Sequence, residues 1–131
     1  MDLSGSIKKV AVIKVSSATV PTTAIDGVSD GVFFKKDDGD TNLDFVVEKD
    51  STETATAAVG TVANDTFITA TFFIDPDRSK VYYSINNAAP VGVVNTNLPD
   101  DEELTVTLAI QAGAAAAKSL TVDYVSAIVE R

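Results

Sequence analysis

FITATFFIDPDRSKVYYSI, residues 67–85, decides the fold class. Ile68, Ala70, Phe72 and Ile74 are apolar at every second position, and after the DPDRS turn the same holds for Val81, Tyr83 and Ile85. A period of two places one face of a strand in a core and the other in water. Pro76 has the φ that a tight turn needs and no N–H to continue a ladder, so the two runs read as a hairpin. Leu104, Val106, Leu108 and Ile110 repeat the alternation. No segment carries the pattern of a long amphipathic helix. Several short strands at close spacing point to an all-β, antiparallel β-sandwich.

The neighbouring segments extend that pattern. Ile7 to Val15 reads as a strand, followed by a Ser/Thr/Ala-rich connection from Ser16 to Asp30 with Pro21 and Gly27 as breakers. Gly31 to Lys36 is a strand that ends in the turn cluster DDGD, where Gly39 is free to take a positive φ. Leu43 to Lys49 follows, with Leu43, Phe45 and Val47 inward and Asp44 and Glu48 outward. A turn at Lys49-Asp50-Ser51 leads to a strand over Thr52 to Val59, and Gly60 and Asn64-Asp65 read as breaks. Thr66 to Ile74, Val81 to Ile85, Val91 to Val94, Leu104 to Gln111 and Leu120 to Val129 complete the expected strands, with AGAAAAKS between the last two. The expected organisation is one β-sandwich domain over residues 1–131, with 1–30 as an N-terminal arm plus connection.

Composition narrows the chemistry. The chain has 131 residues and contains neither Cys nor His. It therefore has no disulfide framework, no thiolate nucleophile and no imidazole base or metal ligand. The net charge of −9, from 19 acidic and 10 basic residues, argues against phosphate-mediated nucleic-acid binding and against an anionic membrane partner. The N-terminal MDLSGSIKKVAVIKV lacks the order of a signal peptide, and no stretch is long enough to cross a bilayer, so assembly in a cytoplasm is expected.

Few constellations suggest a site. Asp38, Asp40, Asn42 and Asp44 fall at every second position, as in the start of a calcium loop. The loop's glycine position holds Leu43 and its closing glutamate position holds Lys49, so Asp38, Asp40 and Asn42 are at most a weak calcium turn. Turn aspartates that bond their own backbone explain the same residues. Asp100, Asp101, Glu102 and Glu103 beside Pro99 read as a wet acidic loop, not as a catalytic pair. Tyr82 and Tyr83 lie on opposite faces of one strand and serve packing before sugar stacking. Asp123 and Tyr124 split across the last strand. The expectation is therefore no catalytic residue, no cofactor and no enzyme.

Three stretches bring a family into view: GVFFKKDDGDTNLDFVVEKDSTET, FITATFFIDPDRSKVYYSINNAAPVGVV and LAIQAGAAAAKSLTVDYVSAIVER. Over Gly31 to Arg131 the chain resembles structural proteins of tailed bacteriophages built on a concanavalin-like or laminin-G-like jelly roll. The chain is shorter than a full sandwich of that type, and no sugar-binding residues map onto it. The resemblance implies a virion component: a decoration or cement protein on the capsid surface, with the major capsid protein as partner and a homo-oligomer, by preference a trimer, as its form. The alternative it implies is a glycan-binding fibre or receptor-binding module. Met1 to Val15 and Thr52 to Val62 are the expected contact elements, the former by adding a strand to a neighbour's sheet.

Overall fold

The computed structural model describes residues 13–15, 29–37, 39–75, 80–94, 97–99, 106, 108–110 and 119–128. Among these residues the protein is all-β. The strands are β1 (Ile13–Val15), β2 (Gly31–Lys36), β3 (Asn42–Lys49), β4 (Thr52–Thr61), β5 (Ala70–Asp75), β6 (Lys80–Ile85), β7 (Val91–Val94) and β8 (Ala109–Ile110). They form a five-stranded sheet in the order β4-β3-β2-β1-β8 and a three-stranded sheet in the order β5-β6-β7.

The expected antiparallel pairing holds from β2 through β4 and from β5 through β7. It fails at β1, which runs parallel to both β2 and β8. A strand's own periodicity says nothing about the direction of its partner, so this pairing could not be read from Ile7 to Val15. Of the expected arm, Met1 to Val15, the described part is β1, and residues 1–12 lie outside the described residues. Residues 13–15 lie in the first sheet between β2 and β8.

The alternating residues meet in one core. Val32, Phe34, Leu43, Phe45 and Val47 from the first sheet pack with Ala70, Phe72 and Val81 from the second. Phe34, Phe45 and Phe72 form a triangle with ring centroids 5.1, 6.1 and 5.9 Å apart, and Tyr83 adds a contact to Phe45 at 5.0 Å. Tilted aromatic contacts at such separations add to the burial term. Ile68, Ile74, Tyr83 and Ile85 pack around this centre, as their spacing predicts.

Two hairpin turns use left-handed backbone at residues other than glycine. Lys49 pairs with Thr52, leaving a two-residue loop in which Asp50 and Ser51 have φ of 50° and 60°. That geometry matches the right-handed twist of the flanking strands. The turn is also held from outside: the Asp50 N–H donates to Asp30 Oδ1 at 3.0 Å and the Ser51 N–H to the Ser29 carbonyl at 2.8 Å. In the second turn Asn86 and Asn87 have φ of 51° and 59°, and the Ala88 N–H donates to the Ile85 carbonyl at 3.0 Å.

Gly60 does not break the chain as expected; it lies within β4. A Cβ on it would meet Ile85 Cγ2 at 3.2 Å and Ile68 Cδ1 at 3.3 Å, so glycine is there for the close approach of the two sheets. The fifth strand begins at Ala70, later than the expected Thr66. The last expected strands are the largest departure. Of Leu104 to Gln111 only Ala109–Ile110 is a described strand, and Val106 and Ile110 are exposed. Residues 119–128 form no strand, with a single bridge at Ile128. Ile7 to residue 12, the DPDRS turn after Asp75, and residues 111–118 of the Ala-rich segment lie outside the described residues.

Phe45 touches three rings, so Phe45→Ala is expected to destabilise the protein by about 3–5 kcal/mol, read as a lower urea midpoint. Ser51→Gly relieves the left-handed backbone and is expected to stabilise it by roughly 0.5–1 kcal/mol, read as a higher midpoint with unchanged slope.

Candidate interaction surface

The acidic turn does structural work. Gly39 has the positive φ expected of it, 74°. Asp40 Oδ1 accepts the Asn42 N–H at 2.9 Å, the backbone-bonding role that turn aspartates favour. Asp38 lies outside the described residues. Asp44 is on β3 and faces away from the turn towards β4. There the register shifts: Leu43 pairs with Gly60 but Phe45 pairs with Thr56, so β4 bulges opposite Asp44. The Ala58 N–H at the bulge, where φ is 55°, donates to Asp44 Oδ1 at 2.7 Å. A carboxylate thus satisfies the donor that the bulge frees. Among the described residues no group of three or more Asp or Glu could hold a metal ion. The acidic cluster at residues 100–103 lies outside them.

On the outer face of the first sheet Phe33 and Val46 are buried, a feature that alternation did not predict. Lys35 helps to explain Val46. Its Nζ lies 3.3 Å from Glu53 Oε2 and 4.0 Å from Asp37 Oδ2. Lys35 is on β2 and Glu53 on β4, and by register Val46 of β3 sits at the middle of the diagonal between them. The methylene stem therefore crosses above Val46 while the ammonium reaches the carboxylate. Burial pushes the Lys35 ammonium down, but attraction to Glu53, Asp37 and Asp44 outweighs it and holds the group above the usual lysine value. The Asp30 carboxyl is held below its usual value by the Asp50 N–H and by Ser29.

Tyr82 and Tyr83 divide as their spacing predicts. Tyr83 joins the core, and Tyr82 stacks on Phe73 on the opposite face, with centroids 4.7 Å apart and planes at 11°. Tyr82 also covers Gly92, where a Cβ would lie 2.8 Å from its Cε1. Both Tyr82 contacts are internal, so its ring is not free to serve as a sugar platform.

The exposed apolar residues lie elsewhere. Phe67 is 69% exposed and Val91 49%. The Thr69 N–H donates to Asn86 Oδ1 at 3.0 Å and the Asn86 N–H to the Thr69 carbonyl at 2.7 Å. These bonds fix the Phe67 loop and the turn before Val91 at one end of the three-stranded sheet. Ala88, Ala89 and Pro90, which precede Val91, are exposed as well, so this end is a tip in which apolar residues lie beside the exposed Asn86 and Asn87. Reading Phe67 into a strand concealed it; the Asn64-Asp65 turn just before it was the available signal. The second exposed group is Val122, Tyr124, Val125 and Ile128. Asp123 beside them is exposed, as one of its two readings had it.

The chain matches no family model, no curated protein and no solved structure.

Four measurements test these assignments. Asp44→Ala leaves the exposed bulge N–H to water and is expected to cost about 0.5–1.5 kcal/mol in chemical denaturation. Lys35→Met keeps the stem and is expected to be milder than Lys35→Ala. The raised Lys35 pKa contributes stability that is present below the unfolded lysine value and lost as pH rises through the folded one, so alkaline unfolding of Lys35→Met should lack that component. The depressed Asp30 pKa works in the opposite direction. Its contribution is present above the unfolded carboxylate value and lost as pH falls through the folded one, and the Asp50 amide resonance should report it in an acid titration.

Proposed function

We propose that this chain is a non-enzymatic structural protein of a bacteriophage virion, a decoration or cement protein that binds and stabilises the head shell. In this reading the two sheets are the halves of a concanavalin-like jelly-roll sandwich, and the ring contacts of Phe72 with Phe34 and Phe45 across them support that architecture. The observation that carries the functional reading is the apolar tip of Phe67, Ala88, Ala89, Pro90 and Val91. Clustered exposed apolar residues mark contact sites for other proteins. The Thr69–Asn86 bonds preorganise the tip, which lowers the ordering cost of docking. The major capsid protein is the partner. A trimer would present three tips together, and multivalent engagement raises avidity from weak single contacts. Binding to the assembled shell alone stabilises it by mass action.

The alternative, a glycan-binding fibre module, draws on Phe67 and Tyr124 as exposed aromatics. A glycan array read with and without chelator separates the two and also tests the Asp40 turn for calcium.

Cosedimentation with bare heads of the encoding phage is the direct test. The wild-type protein should pellet with heads, and Phe67→Asp combined with Val91→Asp should weaken binding at least about tenfold with an unchanged far-UV spectrum. Equal binding by the variant rejects the tip, and no binding by the wild type rejects the role.

A further inference from the structure

We propose that the bond between Asn97 and Thr54 is a clasp, and that the side of the two sheets it closes opens as a local unit while the aromatic centre stays shut. The ring contacts set Phe72 of β5 against Phe34 of β2, and Tyr83 of β6 against Phe45 of β3. Continuing both strand orders in that direction brings β7 to the side of β4. The eight buried residues of the core come from β2, β3, β5 and β6. One strand further out the cover thins, and Val93 of β7 is only half-buried.

On this side β4 offers threonines. Thr54 pairs with Val47 and Thr56 with Phe45, so both share the core-facing side of those neighbours. Each is half-buried. Asn97 Nδ2 donates to Thr54 Oγ1 at 2.9 Å. Beside it Leu98 packs against the core cluster and Pro99 is buried. Residues 97–99 follow the last strand of the second sheet, and the Asn97 bond attaches them to the first, so one segment ties the two sheets at this side. The chemistry of the tie makes it releasable. On opening, an amide–hydroxyl bond is exchanged for bonds to water at little net cost. Parting Phe72 from Phe34 and Phe45 would instead expose apolar rings. Local openings draw on the parts of a fold with the least apolar burial. Threonine in place of an aliphatic residue also keeps the uncovered face wettable. The inference goes beyond the virion reading and is measured on the chain alone, so either can fail without the other.

The absence of native cysteine makes a single introduced thiol a probe of opening. Positions 99 and 47 are both buried, so Pro99→Cys reports the clasp and Val47→Cys the core. Labelling by a thiol reagent is followed in the full chain at rising urea below the unfolding midpoint. Without urea Pro99→Cys should react at least about tenfold faster than Val47→Cys. Its rate should also depend less on urea, because the opening exposes less surface than unfolding does. Thr54→Val removes the acceptor and should speed the labelling of Pro99→Cys a further twofold or more, roughly the worth of one hydrogen bond. Equal rates and urea slopes for the two thiols overturn the proposal, and so does labelling that Thr54→Val leaves unchanged. A Pro99→Cys thiol as reactive as free cysteine overturns it too, because the clasp would not be closed. Should Pro99→Cys not fold, Leu98→Cys is read in the same way. If neither folds, the segment belongs to the global core and the proposal falls.

Discussion

Phe72 is the one ring of the second sheet that touches both Phe34 and Phe45 of the first, and the structure depends on that contact. The β2-β3-β4 and β5-β6-β7 units are local products of the chain, built from strands adjacent in sequence. What links the sheets is apolar area removed from water at their facing sides. The close approach at Gly60, against Ile85 and Ile68, follows from the same contact. The functional features sit on the margins of this centre. The tip extends from the end of the second sheet, and the Lys35–Glu53 pair lies on the first sheet's outer face.

The periodic part of the structure was legible in the sequence. Val32 and Phe34, then Leu43, Phe45 and Val47, then Phe72, Ile74, Val81, Tyr83 and Ile85 lie where alternation puts them, and the turns at Gly39, Asp50 and Asn86 lie where their residues call for turns. The rest depended on distant partners. Val46 interrupts the polar outer row of Asp44 and Glu48, and its burial follows from a lysine on another strand. The bulge was hidden because its positive φ falls on Ala58, which carries no turn signature. Gly60 looked like punctuation because a glycine chosen for closeness and one chosen for turning are the same residue. The C-terminal alternation from Leu120 was visible, but alternation specifies a face without specifying which chain supplies its cover.

The candidate site was legible in its negative aspects more than its positive ones. Asp40 bonds its own turn, as such residues tend to, and the division between Tyr82 and Tyr83 follows from their spacing. The tip was not legible. Its membership depends on Thr69 meeting Asn86, 17 positions further along the chain, a contact that no local pattern reveals.

The position of β1 has a kinetic consequence. The β2-β3-β4 and β5-β6-β7 units contain only neighbours in sequence, so loop-closure entropy opposes them little. β1 pairs with β8, Lys14 beside Ala109, so a short parallel ladder must wait for nearly the whole chain to emerge. During synthesis the side of β1 that faces away from β2 is therefore uncovered until β8 arrives, and a nascent chain passes through an interval in which that edge can recruit another polypeptide. Slow protection of the β1 and β8 amides in pulsed hydrogen exchange, after β2, β3 and β4 are already protected, would be the mark of that interval.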